Sequence, residues 1–154
     1  MTYLVIKWLH VLSSTILFGT GIGSAFYLLA ATLGRDVRTI ARVSRLVVLA
    51  DWLFTTPTAV VQPLTGFLMM HIAGFPVRTP WLAASIGLYV FAIACWLPVV
   101  VIQLRVAEEA RACAAAGRIL SRRYWRLMSA WTMLGALAFV AFLGIFWLMV
   151  TKTL

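Results

Sequence analysis

His10 and His71 are the two histidines of the chain, and both sit inside long apolar runs. Imidazole binds iron, shuttles protons and changes charge near neutral pH. Within a membrane segment an ionisable side chain is costly, which makes both residues functional-site candidates. A second polar group comprises Asp51, Thr55, Thr58, Gln62 and Thr65, spaced by 4, 3, 4 and 3 residues. That spacing places all five on one face of a helix. Surrounded by lipid, such a stripe must face other helices or a wet cavity. It serves either as interhelical hydrogen bonding, at about 0.6–2 kcal/mol per bond, or as the lining of a cavity.

Other chemistries lack their residues. Asp51 is the one acid within an apolar run, so there is no carboxylate dyad. No Ser-His-Asp order, phosphate-binding loop, dinucleotide fingerprint or zincin motif occurs. Scattered methionines and scarce acids argue against bare metal transport. Cys95 and Cys113 belong to no CxxC or haem-attachment pattern and are expected to be unpaired, inert thiols.

The elements that position these residues follow from composition. The chain is 64% hydrophobic and 11% charged, with a mean hydropathy of +1.01. Ordinary soluble domains carry about 25% charged residues, and 154 residues cannot bury such an apolar surplus in one soluble core. A bilayer is the expected solvent, where backbone polar groups must be satisfied internally by helices or a closed barrel. Continuous rather than alternating apolar runs select helices. Four runs, approximately 3–31, 47–73, 81–104 and 127–150, reach the length of a membrane span. The expected fold is therefore all-α, a four-transmembrane-helix bundle forming one domain over residues 1–154. Its first run reads as a retained signal-anchor, being too long for a cleavable signal and lacking a preceding basic segment.

The charge of +9 is distributed unevenly. Arg35, Arg38, Arg42 and Arg45 lie between runs one and two, and Arg105, Arg111, Arg118, Arg122, Arg123 and Arg126 flank the connection between runs three and four. This positive-inside pattern places both connections in the cytoplasm and both termini on the non-cytoplasmic side of a bacterial inner membrane. No interleaved aromatic and basic surface for nucleic acid is present. The first connector should continue as a helical extension, and HIAGFPVRTP should form a tight outward turn. Run three should protrude through RVAEEARACAAAG and stop at Gly117. Asp51, at the cytoplasmic boundary, is expected to pair with Arg45 or Arg126.

Topology brings His10 and His71 to the outward half, where facing helices could share a cofactor. A b-type haem suits imidazole ligands and apolar walls, with Lys7 or Arg78 available for its propionates. However, His71 lies nine residues beyond Gln62 and six beyond Thr65, off the polar face of a regular helix. Pro57 and Pro63 are expected to bend this helix and free carbonyls. Unless that bend restores its phase, His71 reads as a structural or solvated residue. In run one, Thr15, Gly19 and Gly23 form a small-residue stripe, suited to close helix packing or to a groove for a flat ligand, and permitting a homodimer.

IKWLHVLSSTILFGTGIGSAFYL, ADWLFTTPTAVVQPLTG, ACWLPVVVIQLR and YWRLMSAW…IFWLMV resemble the DUF2269 family of bacterial integral membrane proteins along nearly the whole chain. More distantly, IK-x-LH, the proline in run two and Tyr-x-Arg before the last run resemble HemJ-type protoporphyrinogen oxidases and CopD-like membrane proteins. The HemJ resemblance implies haem b with His10 as an axial ligand. The lysine those proteins use in a later helix has no counterpart, since run three holds neither lysine nor histidine; His71 is the available substitute. The leading expectation is a haem b protein for electron transfer or porphyrin-linked oxidation, with a membrane redox partner. Its site would be His10 and His71 at the metal, with Gly19, Gly23, Gln62 and Arg126 around the cofactor. The alternatives are a non-catalytic scaffold or accessory subunit, and a small proton-coupled carrier using Asp51 and the threonine stripe.

Overall fold

The computed structural model describes residues 1–153, and 88% of the chain is helical. The helices are α1 (Thr2–Leu33), α2 (Val37–Ala50), α3 (Thr56–Ala73), α4 (Pro80–Ala115) and α5 (Arg122–Thr151), with a π turn over Asp51–Thr55. Among the described residues α1, α4 and α5 are long and apolar enough to cross a membrane. The second run is divided: α3 has 18 residues and begins only after the π turn.

Pro57 explains that interruption. It has no N–H for the carbonyl of Leu53, and in an α-helix its ring would strike that oxygen. Widening the preceding turn lets the Thr56 N–H reach the Asp51 carbonyl, five residues back. Ala50, Asp51, Thr55 and Thr56 all keep right-handed helical backbone angles. Consequently α2, the π turn and α3 run on as one uninterrupted helical path. Pro63 creates a second gap, at the carbonyl of Ala59, and the Tyr89 hydroxyl from α4 donates to that oxygen.

The connections follow the sequence signals. Arg35 takes a left-handed φ of 57° between α1 and α2. Asp36 then caps α2, accepting from the amides of Arg38 at 3.3 Å and Thr39 at 3.1 Å and from the Thr39 hydroxyl. That hydroxyl, followed by the amide bonds, holds the Asp36 carboxyl below the usual carboxylate range. α3 ends at Gly74, whose φ is 71°, with the Phe75 amide bonded back to Met70 at 3.1 Å. Gly117, with φ 62°, ends α4 in the same way as expected. Ser121 caps α5 at the Tyr124 amide and donates to Glu109 at 2.6 Å, tying the connection to α4.

The tightest packing lies at the arginine-rich end. Leu28, Ile40, Val47, Val99, Val106, Ala110, Tyr124, Met128 and Trp131 form its core. On α2 Ile40, Ser44 and Val47 face inward, while Arg38, Arg42 and Arg45 are exposed, the two-faced pattern of a helix lying on a core. Thr32 and Tyr124 close this end through a buried hydroxyl pair at 2.8 Å. Toward the other end Phe18 of α1 stacks on Phe139 and meets Phe146 edge-on, at centroid separations of 5.3 and 5.0 Å.

Candidate functional site

The polar stripe of the second run divides between two neighbours. Its upper half meets α1: the Thr65 hydroxyl lies 2.8 Å from Nδ1 of His10, and Ser13 donates to Oε1 of Gln62 at 2.9 Å. Gly66 lies against the imidazole, where a Cβ would stand 3.4 Å from Cε1 of His10, at ordinary contact. The Thr65 oxygen also lies 2.8 and 3.1 Å from the carbonyls of Val61 and Gln62. The Thr65–His10 contact is a hydrogen bond in either imidazole tautomer, its direction set by which ring nitrogen carries the proton. Here hydrogen bonding joins α1 to α3.

The lower half turns toward α4. Asp51, 8% exposed, accepts from Nε1 of Trp96 at 3.2 Å on one carboxylate oxygen and from Nε2 of Gln103 at 2.9 Å on the other. The expected ion pair with Arg45 or Arg126 is thereby corrected: two neutral N–H donors hold the acid. The arginines remain on the exposed outer surface, where their charge keeps its hydration.

Asp51 and Thr55 also border a half-open cavity of about 400 Å³ bounded by α1, α2, the π turn, α3, α4 and α5. Small residues create the space: Gly21 and Ala25 on α1, Ala59 on α3, Ala92 on α4 and Gly135 on α5. At Gly21 and Gly135 an added Cβ would meet no atom within 4 Å. Ile22, Phe26 and Phe139 border the cavity and are themselves exposed, so it opens sideways between α1 and α5. The walls are apolar apart from Ser24, Asp51, Thr55, Trp96, Gln103, Trp131 and Thr132. Trp131 is 6% exposed, and its indole N–H is the one buried side-chain polar atom without a partner among the described residues.

The other sequence-derived candidates fall elsewhere. His71, in the last turn of α3, is exposed. Six residues past Thr65, it stands about 9 Å farther along the axis and roughly 240° around it. The π turn precedes this stretch, so it leaves the phase between Thr65 and His71 unchanged. Arg126 is exposed and does not border the interior. Gly19 and Gly23 border no part of the cavity, and no atom lies within 4 Å of an added Cβ at either. The inward face of α1 carries Ile6, Ser13, Leu17, Leu28 and Thr32; Gly19, two residues from Leu17, turns about 200° away. The stripe therefore packs no helix within the chain. Cys95 and Cys113 are free and buried. No group of three or more His, Cys, Asp or Glu poised for a metal occurs among the described residues.

Trp96, Gln103 and the unpaired Trp131 were missed as site residues. The signal for Gln103 was present: a lone amide in an apolar run, seven residues after Trp96 and hence on nearly the same helical face.

The family model for predicted integral membrane proteins of DUF2269 matches residues 4–153. The chain belongs to this family. No curated protein and no solved structure matches it. For a DUF2269 protein, whose solvent is lipid, a side opening between two membrane helices faces the bilayer rather than water.

Proposed function

We propose that this DUF2269 protein is a four-span protein of the bacterial inner membrane that binds a membrane-soluble molecule in the chamber between α1 and α5. The continuous helical path from α2 through α3 supports a fourth span. Ten exposed arginines on segments that share one core support a cytoplasmic arginine-rich end, with both termini opposite. The observation that carries the binding function is an apolar chamber of ligand size, open to lipid. On this reading the chain is a binding protein or accessory subunit.

Native mass spectrometry of protein released from nanodiscs tests this. Wild type should carry a stoichiometric small-molecule adduct, and Gly135→Phe, which fills the chamber, should not. A bare wild type, or the same adduct on both with helicity intact, would overturn the proposal.

His10 supports a second reading, haem b ligation for electron transfer or porphyrin-linked oxidation. The Thr65 contact engages Nδ1, so ligation of iron would fall to Nε2. His71 would have to supply the second ligand from another face of α3. A Soret band lost in His10→Ala supports this reading; a colourless protein after haem supplementation removes it.

A further inference from the structure

The chamber mouth and the nearest arginines lie along one seam between α1 and α5. We infer, building on the chamber as a site for a membrane-soluble molecule, that its ligand is an anionic phospholipid. The lipid comes from the leaflet at the arginine-rich end, with its phosphate held by Arg35 and Arg122 and an acyl chain entering the chamber.

At the mouth, Ile22 and Phe26 on α1 and Ala136 and Phe139 on α5 border the chamber and are exposed. Toward the arginine-rich end the same two helices are joined by the Thr32–Tyr124 hydroxyl pair at 2.8 Å. Arg35 follows Thr32 by three residues, Arg122 precedes Tyr124 by two, and both are exposed. The seam therefore ends between two guanidinium-bearing residues. Arg35 holds its place at a left-handed φ of 57°, where glycine would cost less. At 1.5 Å per residue, Phe26 lies about 14 Å from Arg35 and Thr132 about 15 Å from Arg122 along their helices. One leaflet's hydrocarbon has that depth, half of a core about 30 Å thick, so the far part of an acyl chain reaches the chamber. The charge selects the headgroup. This end carries ten arginines and no lysine, against the three acids Asp36, Glu108 and Glu109. Asp36 is engaged in the cap of α2 and Glu109 by Ser121. A guanidinium matches two oxygens of a phosphate at once. Within the chamber, the polar side chains have partners of their own. Asp51 binds Trp96 and Gln103, and Thr132 donates to the Met128 carbonyl at 2.8 Å. The Ser24 and Thr55 hydroxyls can turn to carbonyls of their own helical turn, and the Trp131 N–H is enclosed by protein. What remains is apolar wall, which an alkyl chain fills through dispersion contacts.

The test is native mass spectrometry of the full-length protein released from nanodiscs of equal parts phosphatidylglycerol and phosphatidylcholine. The two lipids carry the same palmitoyl and oleoyl chains and differ in headgroup charge, and the last lipid to dissociate is read. Wild type should retain phosphatidylglycerol about 30-fold over phosphatidylcholine, the preference expected of two arginines at the headgroup level. Arg35→Gln/Arg122→Gln should retain the two lipids equally. Arg42→Gln/Arg111→Gln, which removes the same charge from α2 and the protruding part of α4, should keep most of the preference. Gly135→Phe should retain neither lipid, with helicity checked by circular dichroism. Equal retention of both lipids by wild type, or a preference that survives Arg35→Gln/Arg122→Gln or falls alike in both arginine pairs, would overturn the phosphate assignment. A wild-type adduct that is not a phospholipid and is absent from Gly135→Phe would overturn it too. Each of these results leaves the chamber reading standing. A bare wild type, or lipid retention unaffected by Gly135→Phe, would overturn both.

Discussion

Replacing Tyr89 with phenylalanine removes one hydroxyl and keeps the ring that meets Phe142 edge-on at 6.4 Å. That hydroxyl is the donor to the Ala59 carbonyl, whose intrahelical donor would have been the amide of residue 63. Because residue 63 is proline, the variant leaves the carbonyl without an α-helical partner. Interhelical hydrogen bonds in membranes average only about 0.6 kcal/mol and reach about 1.7, because freed groups usually find another partner. Here the backbone offers none, and the upper end of that range governs. Tyr89→Phe should cost about 1–2 kcal/mol, an approximately 5- to 30-fold shift in the folded-to-unfolded ratio. Pro63→Ala supplies the missing N–H, and in that background Tyr89→Phe should cost only a few tenths of a kcal/mol. Steric trapping of the protein in bicelles measures all four corners of the cycle. The same cost with and without Pro63 would refute the assignment of Tyr89 to the proline gap.

Asp51→Ala strands the donors of Trp96 and Gln103 and should destabilise by about 2–3 kcal/mol, whereas Asp51→Asn keeps one accepting oxygen and should cost about half as much; equal losses in thermal unfolding would show that the carboxylate holds neither donor. At Gly66, alanine fits at ordinary contact with His10, but leucine must displace the ring and break its bond to Thr65. In a His71→Gln background, Gly66→Leu should therefore speed modification of His10 by diethyl pyrocarbonate several-fold while Gly66→Ala leaves it unchanged, and matching rates for the two variants would contradict the placement of the imidazole. The folded-state pKa of Asp36 is depressed by its Thr39 contacts, so its cap on α2 is fully present above the unfolded value of about 3.9 and is lost as pH falls through the lower folded value. Amide exchange at Arg38 and Thr39 should accelerate across that window in wild type, and at all pH values in Asp36→Ala; a wild-type profile without that acid-side change would count against the cap.

Local and periodic information was legible along the chain. Uninterrupted apolar runs identify helices because no alternation is available to a strand. The arginines mark one end because their hydration keeps them out of apolar packing, and Gly74 and Gly117 stop helices at the left-handed angles glycine adopts freely. The inward direction of the stripe from Asp51 to Thr65 could be read from its 3.6-residue period. Its partners could not. A helical face states a direction without naming the neighbour, so Asp51 was paired with nearby arginines instead of Trp96 and Gln103 from α4. Gly19 and Gly23 advertised close packing by spacing alone, but the phase of α1 turned them away from the helices that pack on it.

The sequence by itself determined that this is a helical membrane protein with its arginines gathered at one end, a polar stripe in the second run, and His10 as the more strongly placed histidine. Only the tertiary structure decided how these features are used. The π turn before Pro57 joins α2 to α3, α1 takes Gln62 and Thr65, and α4 takes Asp51. The chamber belongs to no single segment. It exists because small residues from four helices meet where none supplies a side chain to fill the gap. Periodicity is a property of one helix, whereas a cavity is a property of several packed together.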